Sequence, residues 1–303
     1  MSTLLLLLAA CGGSDTASVE APGGAPTAAP AAPPNSLTIK GSDSEVNVVQ
    51  QLAEAYMKEH PGVSISVSGG GSGTGIAAIM DGTAQLANSS RALSGTEKID
   101  AGRRGLDLKG FVFATDGLAV VVNEKNPVAS LSIDDLGKLY RGETTAWEGL
   151  GGSGPVSLYG RQSNSGTYTY FKEAAVKGEY APTLKQMNGT SQIVEGVRAD
   201  AGGLGYVAAG YVSGERAAGL RVVGLVTAPG QTPVLPTDEA AVLSGGYPLA
   251  RPLYQFVNGT PTGVLKEFLA FEASPAGQSI VKEAGFYTIA PEAVTANAAV
   301  LGQ

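Results

Sequence analysis

From Leu37 onward the sequence alternates between strand patterns and helix patterns, with a glycine-rich turn between them. Residues 63–67 alternate polar and apolar side chains with period two, as a half-buried strand does. They run into the glycines of residues 69–75 and then into a helical pattern that includes Met80. The segment from Leu37 to Met57 has the same order of strand, loop and helix. This alternation predicts an α/β fold with mainly parallel sheets.

The middle and the end of the chain continue the alternation. Residues 117–122 contain a continuous apolar run, which is typical of a fully buried strand. Ser132 and Asp135 have the spacing of a capping box ahead of a helical pattern. Ser274 and Pro275 predict the start of another helix, because serine caps a helix N-terminus and proline is tolerated in the first turn.

Charge and rare residues exclude several classes of function. The 303-residue sequence has 20 basic and 27 acidic residues, a formal net charge of -7, and no basic cluster longer than Arg103-Arg104. Nucleic acid is therefore not an expected partner. With one cysteine, Cys11, and one histidine, His60, the chain lacks the residues for a disulfide, a Cys/His zinc site or a well-placed Ser-His-Asp triad. We expect no metal and no cofactor.

The N-terminus has the pattern of an export signal. An apolar run from Leu4 to Leu8, too short to span a bilayer, precedes Ala9-Ala10-Cys11 and resembles the lipobox of bacterial lipoproteins, in which the cysteine is lipid-modified. Residues 1–11 are thus predicted to be a lipoprotein signal peptide; the lack of a basic residue before the run indicates a truncated start. Residues 12–36 are rich in Pro, Ala and Gly, and we expect a disordered linker.

Three predicted strand-to-helix loops carry hydroxyl residues among glycines, at residues 41–44, 71–75 and 161–167. A helix N-terminus offers unpaired N–H groups and a partial positive charge to an anion. Glycine lets the backbone approach, Ser and Thr add hydroxyl donors, and Arg161 adds a planar fork. For any one such loop, ordinary helix capping is the better explanation. Three of them together predict a site for a tetrahedral oxyanion at the carboxyl ends of the strands.

Ordered blocks across residues 37–290 resemble the phosphate-binding lipoproteins that deliver substrate to bacterial ABC transporters. The blocks lie at residues 39–44, 69–75, 87–91, 115–123, 160–167, 203–206 and 247–254. The resemblance implies a type II periplasmic-binding-protein fold with two α/β lobes, each a mainly parallel sheet flanked by helices, joined by two crossover strands. Lobe 1 would contain residues 37–119 and 252–303, and lobe 2 residues 120–251, with hinge closure on binding.

The resemblance also implies a ligand shell and partners. The residues assigned to phosphate are Ser44, Ser72, Arg161, Ser165, Gly166 and Thr167. Further candidates are Asp43, Gly73, Thr74, Ser90, Arg91 and Asp116. The implied partners are inorganic phosphate, the permease subunits of an ABC transporter, and the cell membrane through a lipid anchor on Cys11. We expect a monomer outside the cytoplasm with no enzymatic activity.

One position departs from the family pattern. Some members place an aspartate directly after the serine of the Ser89-Ser90 block, where it accepts a hydrogen bond from protonated phosphate, but this chain has Arg91. We therefore expect Asp43 or Asp116 to supply the carboxylate, with Arg91 holding one of them in place. Such a buried acceptor favours a protonated oxyanion over fully ionised sulfate.

Other interpretations stay open at this point. Arg251 is expected to pair with a surface carboxylate. The same fold is also compatible with sulfate, molybdate or tungstate as the ligand. A secreted serine hydrolase is disfavoured, because residues 70–74 only approximate the Gly-x-Ser-x-Gly motif around Ser72 and no base lies nearby in sequence. A surface interaction lipoprotein, which uses the fold as a scaffold, would bind no small anion.

Overall fold

The computed structural model describes residues 35–228 and 230–303. The predicted signal peptide, with Cys11, and residues 12–34 of the predicted linker lie outside the described residues. The first strand begins at Ser36, at the end of that linker. No helix in the described ranges has the length and hydrophobicity needed to cross a membrane.

A five-stranded sheet organises the first part of the chain. Its strands are β1 (Ser36–Gly41), β2 (Ser64–Ser68), β3 (Leu86–Ser89), β4 (Leu108–Gly117) and β11 (Ala250–Asn258). They lie in the order β2-β1-β3-β11-β4. β1 pairs in parallel with β2 and β3, whereas β11 runs antiparallel to β3 and β4. The period-two segment at residues 63–67 therefore forms an edge strand, as its alternation predicts.

A six-stranded sheet organises the middle of the chain. Its strands are β5 (Ala119–Asn123), β6 (Ser130–Ser132), β7 (Ser157–Arg161), β8 (Lys185–Met187), β9 (Gly203–Val207) and β10 (Leu220–Val226), in the order β6-β10-β5-β9-β7-β8. β7 is parallel to β8 and β9, and β10 is parallel to β6, whereas β5 is antiparallel to β9 and β10. We call the five-stranded sheet with its helices lobe 1 and the six-stranded sheet with its helices lobe 2.

Ten α-helices lie within the described residues. They are α1 (Val46–Glu59), α2 (Ser72–Met80), α3 (Gly95–Arg103), α4 (Ile133–Arg141), α5 (Gly166–Phe171), α6 (Thr190–Ala199), α7 (Glu239–Leu243), α8 (Gly263–Ala273), α9 (Pro275–Glu283) and α10 (Pro291–Val300). Ser132 caps α4 by accepting a hydrogen bond from the amide of Asp135, and Ser274 caps α9 in the same way. Both predicted helix starts are confirmed.

The two-lobed α/β architecture is confirmed, and the sheets are more mixed than a simple strand-helix alternation suggests. Every antiparallel ladder between these strands involves β5 or β11. These are the strands that follow the two crossings between the sheets, the first at Leu118 and the second before Ala250. A strand that enters a sheet from the other lobe is not bound to the parallel direction that a local strand-helix-strand connection imposes.

Packing on both sides of β5 explains its continuous apolar sequence. Val120 and Val122 face one hydrophobic cluster, with Trp147 and Tyr206, while Val121 faces a second cluster on the other side of the sheet. All five residues of β5 are buried. Lobe 1 has its own core on the face of the sheet that carries α1, α8 and α9. Each sheet is therefore a rigid layer from which loops extend.

Candidate oxyanion site

Four buried hydroxyl side chains converge where the two lobes meet. The Ser44 and Thr167 oxygens are 2.8 Å apart, Ser90 and Thr167 are 3.2 Å apart, and Ser72 and Ser90 are 3.4 Å apart. We call these four residues the hydroxyl cluster. Each is at most 2% exposed, so the four side chains are almost completely buried between the lobes.

The cluster lies at three helix N-termini. Ser44 follows β1 and precedes α1, Ser72 is the first residue of α2, and Thr167 lies in the first turn of α5. Each of these helices follows the carboxyl end of a strand, where an α/β protein collects its ligands. The N-terminus of each helix carries a partial positive charge, and the hydroxyl cluster joins these three helix starts. The arrangement therefore favours an anion over a cation or a neutral ligand.

Two glycines allow the loops to approach this closely. A Cβ atom on Gly166 would lie 2.3 Å from the Ser72 hydroxyl oxygen, well inside any real contact distance. Gly71 has φ +94°, a conformation that other residues rarely adopt, and a Cβ there would lie 2.8 Å from the carbonyl oxygen of Asn164. Glycine at these positions therefore lets lobe 2 come against the start of α2.

Arg161 and Asp43 form an ion pair between the lobes. The Arg161 Nη2 atom lies 2.5 Å from Oδ2 of Asp43, and the other Asp43 oxygen accepts from the amide of Gly70 at 3.1 Å. The guanidinium, at 2% exposure, also donates to the carbonyl of Asn188 and to the hydroxyl of Thr190. The predicted arginine fork is thus present, but protein groups occupy most of its donors in this closed arrangement.

Direct loop contacts add to the closure. The side-chain amide of Asn164 donates to the carbonyl of Gly70 at 2.8 Å. The backbone carbonyl of Asn164 accepts from the amide of Gly73 at 3.0 Å. Tyr211 of lobe 2 donates its hydroxyl to the carbonyl of Asp43 at 2.6 Å. Burial, and secondarily the nearby Asp43 charge, raise the pKa of Tyr211 to about 12, so the phenol keeps its proton at neutral pH.

Not every predicted residue joins the hydroxyl cluster. Thr74 donates to the carbonyl of Gly70 and accepts from the side-chain amide of Asn164 at 3.4 Å. Gly73 also contacts Asn164, so Thr74 and Gly73 take part in closure rather than in the cluster. Ser165 caps α5 by accepting from the amide of Tyr168 at 3.4 Å. Ser165 is buried beside the cluster and has a structural role there as well.

Asp116 pairs with Arg251, and this corrects the expectation that Arg251 meets a surface carboxylate. Both side chains are buried, at 0% and 1% exposure, with Nη2 and Nε of Arg251 at 2.8 and 3.0 Å from one Asp116 oxygen. The other oxygen accepts from the amide of Ala209. Arg251 also donates to the carbonyl of Ser90 at 3.3 Å. Sequence gave no sign of this support beneath the cluster, because the partners are 135 residues apart.

Arg91 holds neither of the two candidate aspartates, so that expectation is wrong. Its guanidinium makes two hydrogen bonds to Glu97, at 2.7 and 2.8 Å. Burial alone would raise the pKa of Glu97, but the hydrogen bonds from Arg91 and from the Ser94 amide outweigh it and lower that pKa. Glu97 is also part of the capping box of α3, which explains why Arg91 turns towards that helix.

Comparison with known proteins gives a consistent result. A family model described as a PBP superfamily domain matches residues 27–276 of this chain. The phosphate-binding protein PstS of Pseudomonas aeruginosa strain PAO1 is 32% identical over 269 residues, which cover 82% of each chain. The phosphate-binding protein PstS of Bacillus subtilis strain 168 is 30% identical over 304 residues, covering 98% of this chain and 95% of that protein.

Solved structures agree with these relatives. A phosphate ABC transporter substrate-binding protein from Clostridium perfringens, crystallised with bound phosphate, is 29% identical with a TM-score of 0.74. An ABC-type phosphate transport receptor from Vibrio cholerae is 28% identical with a TM-score of 0.66. Each alignment covers 84% of this chain and all of the other. The similarity therefore extends over both lobes.

Proposed function

The chain belongs to the PBP superfamily and, within it, to the family of the phosphate-binding proteins PstS, and from this membership we propose that it captures inorganic phosphate between its lobes and delivers it to an ABC transporter. The observation that carries the proposal is the hydroxyl cluster, in which donors from three helix N-termini meet. Such donors suit a tetrahedral anion without requiring net positive charge.

We propose that phosphate replaces the direct contacts within the hydroxyl cluster. Ser44, Ser72, Ser90 and Thr167 then donate to its oxygens, together with amides of the first turn of α5, beginning at Gly166. Because the donors come from both lobes, binding stabilises the closed arrangement. The boundaries at 119/120 and 251/252 lie close to the two crossings between the sheets, and we propose them as the hinge.

Asp43 is the better candidate for the carboxylate that accepts the phosphate proton. The Asp116 side chain is 0% exposed and is fixed by two nitrogens of Arg251 and by the amide of Ala209. The Asp43 side chain accepts from Arg161 and Gly70 but is 19% exposed, so a ligand between the lobes can reach it. Asp43 lies in the loop that also carries Ser44, and its partner is Arg161. The pair then offers an acceptor for the protonated oxygen and a cation for the ionised ones. Sulfate, which carries no proton, would leave the acceptor unpaired.

A transport role without catalysis agrees with the relatives, which carry names of binding proteins. A serine hydrolase needs a base beside its nucleophile. The single histidine of the sequence, His60, stacks on Tyr56 at the C-terminal end of α1, whereas Ser44 precedes the other end of that helix. We further propose that the protein is a monomer outside the cytoplasm, anchored by a lipid on Cys11.

Displacement of radiolabelled phosphate from the full chain tests the ligand. We expect unlabelled phosphate to displace the label and sulfate, molybdate and tungstate to fail at the same concentrations. Displacement by one of those anions at lower concentration would reassign the ligand, and absence of any bound label would contradict a phosphate receptor. Incorporation of labelled palmitate into the chain in bacteria, and its loss in Cys11→Ser, tests the anchor.

A further inference from the structure

Four buried polar residues lie directly behind the hydroxyl cluster. They are Glu45, Asn88, Gln255 and Glu272, all 0% exposed, and we call them the buried carboxyl cluster. Nε2 of Gln255 donates to Oδ1 of Asn88 at 3.2 Å and to Oε1 of Glu272 at 3.1 Å. Asn88 also holds the first site loop, because its carbonyl accepts from the amide of Ser42 at 2.9 Å. The cluster is therefore continuous with the oxyanion site.

This cluster is short of hydrogen-bond donors. Six buried side-chain atoms in the described ranges lack a partner, and five belong to these four residues. Four of the five are acceptor oxygens, two on Glu45 and one each on Gln255 and Glu272, and the fifth is the Asn88 amide nitrogen. A proton on a carboxyl turns an acceptor into a donor. The hydrogen-bond count thus favours neutral carboxyls, because unpaired buried acceptors are costly.

Glu45 occupies a sensitive position in this cluster. It is the residue immediately before α1, yet its side chain makes no capping hydrogen bond and turns into the interior instead. A carboxylate there would cancel the positive end of α1, the same end that Ser44 presents to a ligand. It would also repel an anion held at the hydroxyl cluster.

We propose that Glu45 is an electrostatic positioning residue, held neutral in its buried site so that the N-terminus of α1 remains available to the anion. This inference rests on the proposed capture of phosphate. It assigns to the protein a glutamic acid that carries its proton while the ligand is bound, next to a site of hydroxyls, amides and the Asp43–Arg161 pair. The neighbouring Glu272 shares the cluster but lies on α8, away from the ligand loops.

Burial, more than the surrounding charges, favours the neutral form of Glu45. Burial raises the pKa of Glu45 well above its ordinary value, while the Ser42 hydroxyl and the Arg251 guanidinium lower it to a smaller extent. Asp116 and Glu272 raise it further, and Arg251 is already paired with Asp116. Tyr211 also lies within electrostatic reach of Glu45, as a neutral phenol at neutral pH.

Infrared spectroscopy of the full chain at about pH 8 reads the protonation state directly. We expect the wild type to show carbonyl absorption from two buried neutral carboxyls, of which Glu45→Gln removes one component and Glu272→Gln, the matched control, removes the other. If Glu45→Gln instead removes an ionised carboxylate band, the proposal is wrong. Should Glu45→Gln fail to fold, ¹³C-labelled glutamate in Glu272→Gln leaves Glu45 as the source of the remaining neutral carboxyl band.

Calorimetry with inorganic phosphate on either side of the pH at which the infrared band of Glu45 is lost tests the link to binding. We expect the wild-type Kd to rise about tenfold or more as the Glu45 proton is lost, and less than about threefold in Glu45→Gln. Equal rises in both proteins would overturn the proposal. A wild type that binds no phosphate at either pH refutes the proposed function instead, and the infrared result then stands alone.

Discussion

Ser44 and Thr167 are 123 residues apart in the sequence, and their hydroxyl oxygens lie 2.8 Å from each other between the two lobes. One comes from the loop before α1 of lobe 1 and the other from the first turn of α5 of lobe 2. Each lobe alone presents only part of the donor set. The contact therefore ties the completeness of the site to the closure of the lobes.

Thr167→Val removes one hydroxyl while keeping the shape of the side chain. A hydrogen bond to a charged group contributes about 1.5–3 kcal/mol, so we expect the Kd for phosphate to rise by about 10- to 150-fold. Thr169→Val is the matched control on the same helix, because the Thr169 hydroxyl donates only to the Ser165 carbonyl within α5. If calorimetry gives both variants the same Kd for phosphate, the Thr167 hydroxyl does not bind the anion.

Gly166→Ala separates helix stability from lobe closure. Alanine is the better helix residue by about 1 kcal/mol, but its Cβ would lie 2.3 Å from the Ser72 oxygen. We expect an unchanged or slightly raised melting temperature and a phosphate Kd at least about tenfold higher. Gly95→Ala is the control, because Gly95 also begins a helix after a serine cap and has open space around it. Equal Kd values in the two variants would contradict the close approach at Gly166.

Asp43→Asn tests the choice between protonated and fully ionised anions. The amide can donate to a sulfate oxygen where the carboxylate only accepts, so we expect the ratio of sulfate Kd to phosphate Kd to fall at least about tenfold. Asp116→Asn should leave that ratio unchanged and lower the stability instead, because it weakens a buried ion pair. An unchanged ratio in Asp43→Asn, measured by calorimetry with both anions, would assign the acceptor elsewhere.

Glu272→Gln changes how stability depends on pH. Burial raises the pKa of Glu272 well above its ordinary value, so the folded chain keeps a proton that the unfolded chain releases. The contribution of Glu272 to the free energy of unfolding is fully present below about pH 4.5. It falls as pH rises towards the raised pKa, by about 1.4 kcal/mol per pH unit at most. Urea unfolding at about pH 5 and pH 9 should therefore show a smaller loss in Glu272→Gln than in the wild type. Parallel losses in the two proteins would show that this carboxyl does not titrate differently on folding.

The elements and the loops of the site could be predicted because their signals are local. Period two at residues 63–67 and the serine caps at Ser132 and Ser274 depend only on near neighbours in sequence. The position of Ser72 at the start of α2 follows from the glycines before it. Local patterns of this kind survive folding, since neighbouring residues in a strand or helix stay neighbours.

The partners of the charged side chains could not be predicted from local sequence patterns. Arg251 has Asp116 as its partner, 135 residues away, because β11 lies beside β4 in the sheet. Arg91 turned out to pair with Glu97, six residues away, although the departure from the family pattern suggested an aspartate. The sequence around Glu45 does not indicate that its side chain is buried. An acidic residue at the start of a helix is usually exposed to solvent, where its charge interacts favourably with the helix dipole.

The most direct test of the account is a calorimetric titration of the full chain with phosphate, for the wild type beside Arg161→Ala. We expect saturable binding of one phosphate per chain in the wild type. Loss of the charged partner should weaken binding by about 2–4 kcal/mol, a rise in Kd of about 30- to 1,000-fold. A flat wild-type titration, or the same Kd in Arg161→Ala, would contradict phosphate capture between the lobes.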